Sequence, residues 1–153
     1  MEEFEKNLQD AIKSLKIADH MTYITYQIVN EKRLLLKIFE EIYKTIINCI
    51  HSILNYESLY KRIRIYNDKK ENLNTFIKIS KNYSLTNEQI KKILEIIELY
   101  KNKKESSMEF VKKEKVVILS DSLKTKIIDL ETIKDYLTLS KDFLMKTKKK
   151  FNL

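Results

Sequence analysis

The sequence predicts a mainly all-α protein: an antiparallel four-helix bundle with a long first helical hairpin, one short extra helix and a small β-hairpin insert near 114–129. Three observations carry this reading. The 153 residues contain no Gly and no Pro, where average usage would supply roughly 18 of the two together. A chain without them makes few tight turns and has nothing to break long helices. Apolar residues recur at helical spacing over most of the length. One β-branched run, Val116 to Leu119, departs from that period.

The elements follow in order. From Glu2 to about Val29, Leu8, Ala11, Ile12, Leu15, Ala18, Met21 and Ile24 form one helical stripe. Asn30 breaks it, with a side chain suited to capping the next start. A second helix is expected from about Glu31 to Arg64, with a core stripe of Leu35, Ile38, Phe39, Ile42, Ile46, Cys49, Ile50, Ile53 and Leu54. It would span roughly 50 Å at ~1.5 Å per residue. The polar stretch "IYNDKKEN" reads as a connection, and a short helix as Glu71 to Lys81. After a loop at Asn82 to Leu85, "TNEQ" at Thr86 to Gln89 is a capping box that opens a helix from Asn87 to about Lys103. That helix is expected to bury Ile90, Ile93, Leu94, Ile97 and Tyr100. Val116 to Leu119 and Thr125 to Ile128, joined by a Ser-Asp-Ser turn, read as the hairpin. The last helix runs from Leu130 to about Lys149, with Ile133, Leu137, Leu144 and Met145 on its apolar face, and the basic tail 146–153 is expected to fray. One domain accounts for residues 1–153.

Composition also excludes functions. Without glycine no backbone can wrap a pyrophosphate, so P-loop and Rossmann-type nucleotide binding are ruled out. The lone cysteine, Cys49, lies in an apolar run and reads as a buried thiol in a reducing compartment. His51 follows two positions later, on a different side of the helix, so the two make a poor nucleophile–base pair. No H-x-x-H or E-x-x-H spacing occurs, and Glu40, Glu41, Glu95 and Glu98 do not interrupt an apolar stripe. Hence neither a metal nor another cofactor is expected. No apolar stretch reaches membrane length, and the acidic start "MEEFEKNLQD" is unlike a signal peptide, so the expectation is a cytoplasmic protein without a membrane partner.

Net charge is +8 with a pI near 9.3. That balance suits a phosphate- or carboxylate-rich partner. It equally suits the drift of a chain crowded with Ile, Lys and Asn, and only Arg33, Arg62 and Arg64 are arginine. The candidate nucleic-acid-binding segment is "YKRIRIYNDKK", where Lys61, Arg62, Arg64, Lys69 and Lys70 alternate with Tyr60 and Tyr66. Cations between aromatic rings suit single-stranded RNA, by phosphate contact and base stacking. Cations at a helix C-terminus also simply complement its dipole. Lys112, Lys113 and Lys115 form a secondary basic patch, and Lys101, Lys103 and Lys104, with Lys146, Lys148, Lys149 and Lys150, mark helix ends. A polar seam of uncertain role, "ADHMTYITY", holds Asp19, His20, Tyr23 and Tyr26. Helical spacing brings Tyr23 within reach of Asp19 and His20. Adjacent residues diverge by about 100° on a helix, so Asp19 is badly placed to orient His20. A packing edge where tyrosine hydroxyls reach water is the simpler reading.

The stretch "SLKIADHMTYITYQIVNEKRLLLKIFEEIYKTIINCIHSIL", extended by "SSMEFVKKEKVVILSD", resembles small uncharacterised archaeal helical-bundle proteins. More distantly, the paired-helix start with "RLLLKIFEEIY" is similar to the HEPN superfamily of four-helix domains, often dimeric and often acting on RNA. Their nucleases carry an Arg followed four to six residues later by His. Here no His follows Arg33 until His51, and none follows Arg62 or Arg64. The resemblance therefore implies a non-catalytic member. The resulting expectation is a non-enzymatic basic protein that contacts RNA or a ribonucleoprotein surface and pairs with a second copy of itself as a homodimer. Two alternatives stand beside it: an assembly module working through helix–helix interfaces, and a divergent HEPN-type enzyme around Asp19, His20 and Tyr23.

Overall fold

The computed structural model describes residues 1–105, 109–112, 115–119 and 125–153, and side chains outside 104–127. The chain is mainly helical. α1 (Glu3–His20) continues through a π-helical turn, Met21–Thr25, into α2 (Tyr26–Val29); α3 is Leu34–Leu59 and α4 is Lys69–Ile79. A 3₁₀ turn, Ser80–Tyr83, precedes α5 (Asn87–Glu105), and α6 is Leu130–Lys150. β1 (Glu109–Lys112), β2 (Lys115–Leu119) and β3 (Thr125–Ile128) form one antiparallel sheet in chain order.

α3 is the axis of the molecule because its apolar stripe faces every neighbour. Leu35, Ile38, Phe39, Ile42, Ile46, Cys49, Ile50, Ile53 and Leu54 are all buried. α1 lies antiparallel along it, its start fastened where Ser52 Oγ donates to the Phe4 carbonyl at 2.7 Å. α6 runs alongside α3, with Phe39 against Tyr136. α5 runs the other way, tied to α3 by a Tyr43–Tyr100 ring stack with centroids 3.6 Å apart and by Lys103 Nζ, 2.7 Å from Glu40. α4 contributes Phe76, which packs on Phe143. Burial drives this arrangement, at about 25 cal/mol per Å² of apolar surface.

Several expectations need correction. The packing is not a plain four-helix bundle, since the first helix is interrupted by the π turn and α4 enters the core. The expected two-stranded hairpin is replaced by a three-stranded sheet, in which Val116 pairs with Ile128 and β1 adds Glu109 opposite Ile118. "EFVK" is too short and too polar to advertise a strand. The Ser-Asp-Ser turn lies outside the described residues. α3 stops at Leu59, five residues before Arg64. Asn30 does not cap α3; it takes φ 51° at the end of α2. On α5 the most buried positions are Ile93, Ile96 and Leu99, with Leu94 to one side, and on α6 Met145 is exposed. The capping box does form: the Thr86 amide donates to Gln89 Oε1 at 3.0 Å, and the Gln89 amide to Thr86 Oγ1 at 3.1 Å.

The C-terminal tail does not fray. α6 persists to Lys150, and Phe151 is buried, stacking on Tyr56 at 4.1 Å and meeting Phe4 and Tyr83 edge-on. Apolar burial here outweighs the repulsion among the neighbouring lysines. No described helix is long and apolar enough to cross a membrane.

Candidate functional site

With no glycine available, other residues must supply left-handed backbone. Lys61 (φ 58°), Ser84 (φ 59°) and Asn152 (φ 62°) do so. Each closes a Schellman motif, in which the two amides after the helix end bond back to carbonyls of its last turn. After α3, the Lys61 amide donates to the Ser58 carbonyl at 3.0 Å and the Arg62 amide to the Glu57 carbonyl at 2.9 Å. After the 3₁₀ turn, Ser84 and Leu85 donate to Lys81 and Ser80. After α6, Asn152 and Leu153 donate to Lys149 and Lys148. All three motifs gather at one end of the molecule.

The first motif builds the site. Returning the Arg62 backbone to Glu57 also brings their side chains together, and Arg62 Nε donates to Glu57 Oε2. Glu57 is only 4% exposed, an uncommon position for a carboxylate. Its other oxygen accepts from the Tyr83 hydroxyl at 2.9 Å. Both oxygens are therefore satisfied, which makes the burial tolerable. The Arg62 guanidinium lies over the rings of Tyr56, at 5.5 Å, and Tyr60, at 5.0 Å. Cation–π contact and the carboxylate together hold it in one orientation. The hydrogen bond to Glu57 holds the guanidinium more strongly protonated, while burial, then the Glu57 bond, push the Tyr83 hydroxyl upward.

Arg62 lines a cleft of about 450 Å³ together with Tyr56, Glu57, Ile63, Ile79, Asn82 and Lys150. A second cleft of about 620 Å³ adjoins it, sharing Asn82 and Lys150 and adding Ser84, Lys146, Lys149 and Asn152. Lys146 is committed to structure, bonding Asp142, the Ser84 carbonyl and Gln89. Lys61, Arg64 and Lys149 form no ion pair among the described residues.

The basic segment is placed as follows. Tyr60, Lys61, Arg62, Arg64, Tyr66, Lys69 and Lys70 are all exposed, Tyr60 at 55% and Tyr66 at 43%. Asn72 pins the loop by accepting from the Tyr66 amide at 2.7 Å and donating to its carbonyl at 2.8 Å. Asp68 caps α4 through the Lys70 amide. Lys69 and Lys70 thus open α4, against its dipole, and helix-end complementarity does not account for them. Sequence reasoning missed Glu57, Tyr83 and Asn82; Glu57 had a signal, lying five residues before Arg62 on the buried side of α3. Lys113 lies outside the described residues, as do the side chains of Lys104, Lys112 and Lys115.

The "ADHMTYITY" stretch does not converge. The π turn adds a residue to one helical turn and rotates the following face. Thr22 and Tyr26 become buried, whereas His20 and Tyr23 face solvent. Asp19 pairs with Lys141 at 2.6 Å, and Lys134 and Lys141 flank the Tyr23 ring. Lys141 of α6 thus meets both Asp19 and the Tyr23 ring. His20 Nδ1 lies 3.4 Å from Thr25 Oγ1. Elsewhere the Tyr136 hydroxyl donates to Glu95 at 3.0 Å, so Glu95 faces a helix seam. Among the described residues no set of three His, Cys, Asp or Glu gathers as metal ligands. Burial pushes the Cys49 thiol up, and desolvation followed by the Lys69 charge lowers the His51 imidazole.

Comparison of the chain with family models, curated proteins and solved structures gives no match.

Proposed function

We propose that this is a non-catalytic RNA-binding protein whose contact surface is the end of the molecule where α3, the 3₁₀ turn and α6 finish. One observation carries the reading: Arg62 and Lys150, 88 positions apart in sequence (150 − 62), line the same cleft. The start of the cation–tyrosine segment, at Arg62 and Ile63, and the end of α6, at Lys150, therefore border one cleft, and we read the basic residues on either side as one surface. Exposed Tyr60 and Tyr66 offer stacking faces, while Lys61, Arg64 and Lys149 offer charge not spent on ion pairs. Arg62 serves by being held in place. The distant HEPN likeness of the long helical hairpin belongs to this same proposal, as does action without catalysis.

Filter binding of single-stranded RNA across a salt series tests it. Log affinity should fall linearly with log salt, by about 0.7 per phosphate contact. Arg64→Ala and Lys149→Ala should each weaken binding for every sequence and flatten the slope by roughly one contact. Absence of binding at ~50 mM salt, or binding without a salt slope, would refute it.

A second reading, homodimer assembly through helices, is favoured by the surface that the π turn exposes. Ile24, Ile28 and Val29 are 48%, 78% and 57% exposed. Light scattering at tens of micromolar would report a dimer that Ile28→Asp dissociates; a monomer at that concentration counts against it.

A further inference from the structure

We infer that the two adjoining clefts constitute a single-nucleotide subsite, with a base in the Tyr56–Ile63–Ile79 cleft and its phosphate on Lys150 and Lys149. This rests on the RNA-binding reading and sharpens it from a charged surface to a built site. The base cleft, at about 450 Å³, falls in the size range of small-ligand sites. Its walls are suited to a flat, largely apolar ring with polar edges. Ile63 and Ile79 supply aliphatic surface, while Tyr56, whose ring already meets Phe151 and the Arg62 guanidinium, adds to the lining without a free stacking face. The neighbouring cleft contains no carboxylate in its lining and presents Lys149 and Lys150, which suits a phosphate.

Asn82 joins the two. Its side chain lines both clefts, is exposed, and has no hydrogen-bond partner among the described residues. A side-chain amide donates and accepts side by side, matching the paired donor and acceptor that adenine presents at N6 and N7. Two other polar side chains of the base cleft already have partners. Glu57 accepts from Tyr83 and Arg62, and Arg62 is held over its two tyrosines. Asn82 is therefore the group we assign to the base edge, and adenine, which can take this amide bidentately at N6 and N7, is the base the titration should rank first.

The test uses the full chain and ¹H–¹⁵N NMR titrations with 5′-phosphorylated dinucleotides of each base, beside filter binding of a longer RNA. Shifts should centre on Asn82, Tyr56 and Lys150, with the adenine dinucleotide binding several-fold tighter than the uracil one. Removing the 5′-phosphate, or Lys150→Ala, should weaken all dinucleotides alike. Asn82→Ala should abolish the base ranking while leaving the salt slope of RNA binding unchanged. If longer RNA binds but dinucleotides leave these resonances unmoved, or move them with no base ranking, the subsite is overturned and the RNA surface stands. If neither binds, both fall together.

Discussion

Replacing Phe151 with alanine should destabilise the protein by about 3–4 kcal/mol, although the residue lies two positions from the last residue of the sequence. Its side chain is 7% exposed and meets three rings: Tyr56 face-on, Phe4 and Tyr83 edge-on. Removing roughly 150 Å² of buried ring surface at ~25 cal/mol per Å² comes to ~4 kcal/mol. The denatured chain hides part of that area, which lowers the figure, whereas the lost ring contacts raise it. The two corrections roughly offset, so the low end of the usual Phe→Ala range is the expected value. Urea denaturation of the variant beside the parent measures it directly. At about 2–4 °C per kcal/mol for a chain of this size, the melting point should drop by roughly 6–16 °C. A loss under about 0.5 kcal/mol, the level of an ordinary surface substitution, would show that the tail is frayed and the argument wrong. Because Tyr56 and Tyr83 border the cleft, Phe151→Ala should also broaden the NMR signals of those residues.

Further consequences follow from the same end of the molecule. Tyr83→Phe takes one of two partners from the buried Glu57 carboxylate, and should cost about 1.5–3 kcal/mol by urea midpoint; a neutral result would mean water replaces the hydroxyl. Lys61→Gly relieves a left-handed residue of its side-chain clash and should raise stability by roughly 0.5–1 kcal/mol, the gain reduced by the freer unfolded chain; destabilisation would place the Lys61 side chain in a contact that matters. The Asp142 carboxyl is desolvated, which raises its pKa, but hydrogen bonds from Lys146 and Gln89 prevail and hold it below the ordinary value. Its stabilisation is therefore complete above about pH 4 and lost as pH falls through the lowered folded value. Asp142→Asn should flatten the acid limb of stability measured between pH 6 and pH 2; an unchanged limb would sink this assignment.

The helical class was legible because burial along α3 obeys a strict period. Every residue of its expected stripe, from Leu35 to Leu54, is buried. The Thr86–Gln89 capping box was legible because its partners lie within four residues of each other. Where expectation failed, the cause lay in a change of helical phase or in a distant partner. "ADHMTYITY" keeps the apolar period past His20, yet the π turn rotates the face, exposing Ile24 and burying Tyr26. The basic segment around Arg62 was visible as composition. Its structure, a guanidinium held by Glu57 and a carboxylate held by Tyr83, was only half visible, since Tyr83 lies 26 positions beyond Glu57.

Local sequence determined what short-range physics decides: no glycine loop for a pyrophosphate, long helices, the Thr86–Gln89 cap, and a cation-rich strip punctuated by tyrosines. Tertiary packing decided the rest. It buried Phe151 among aromatic rings from three distant parts of the chain, Phe4, Tyr56 and Tyr83, since no helix can hide its apolar face alone. It also brought Lys150 to Arg62, turning two solvated helix ends into one charged cleft. Charge can be counted from a sequence, but which charges share a surface depends on how the helices pack.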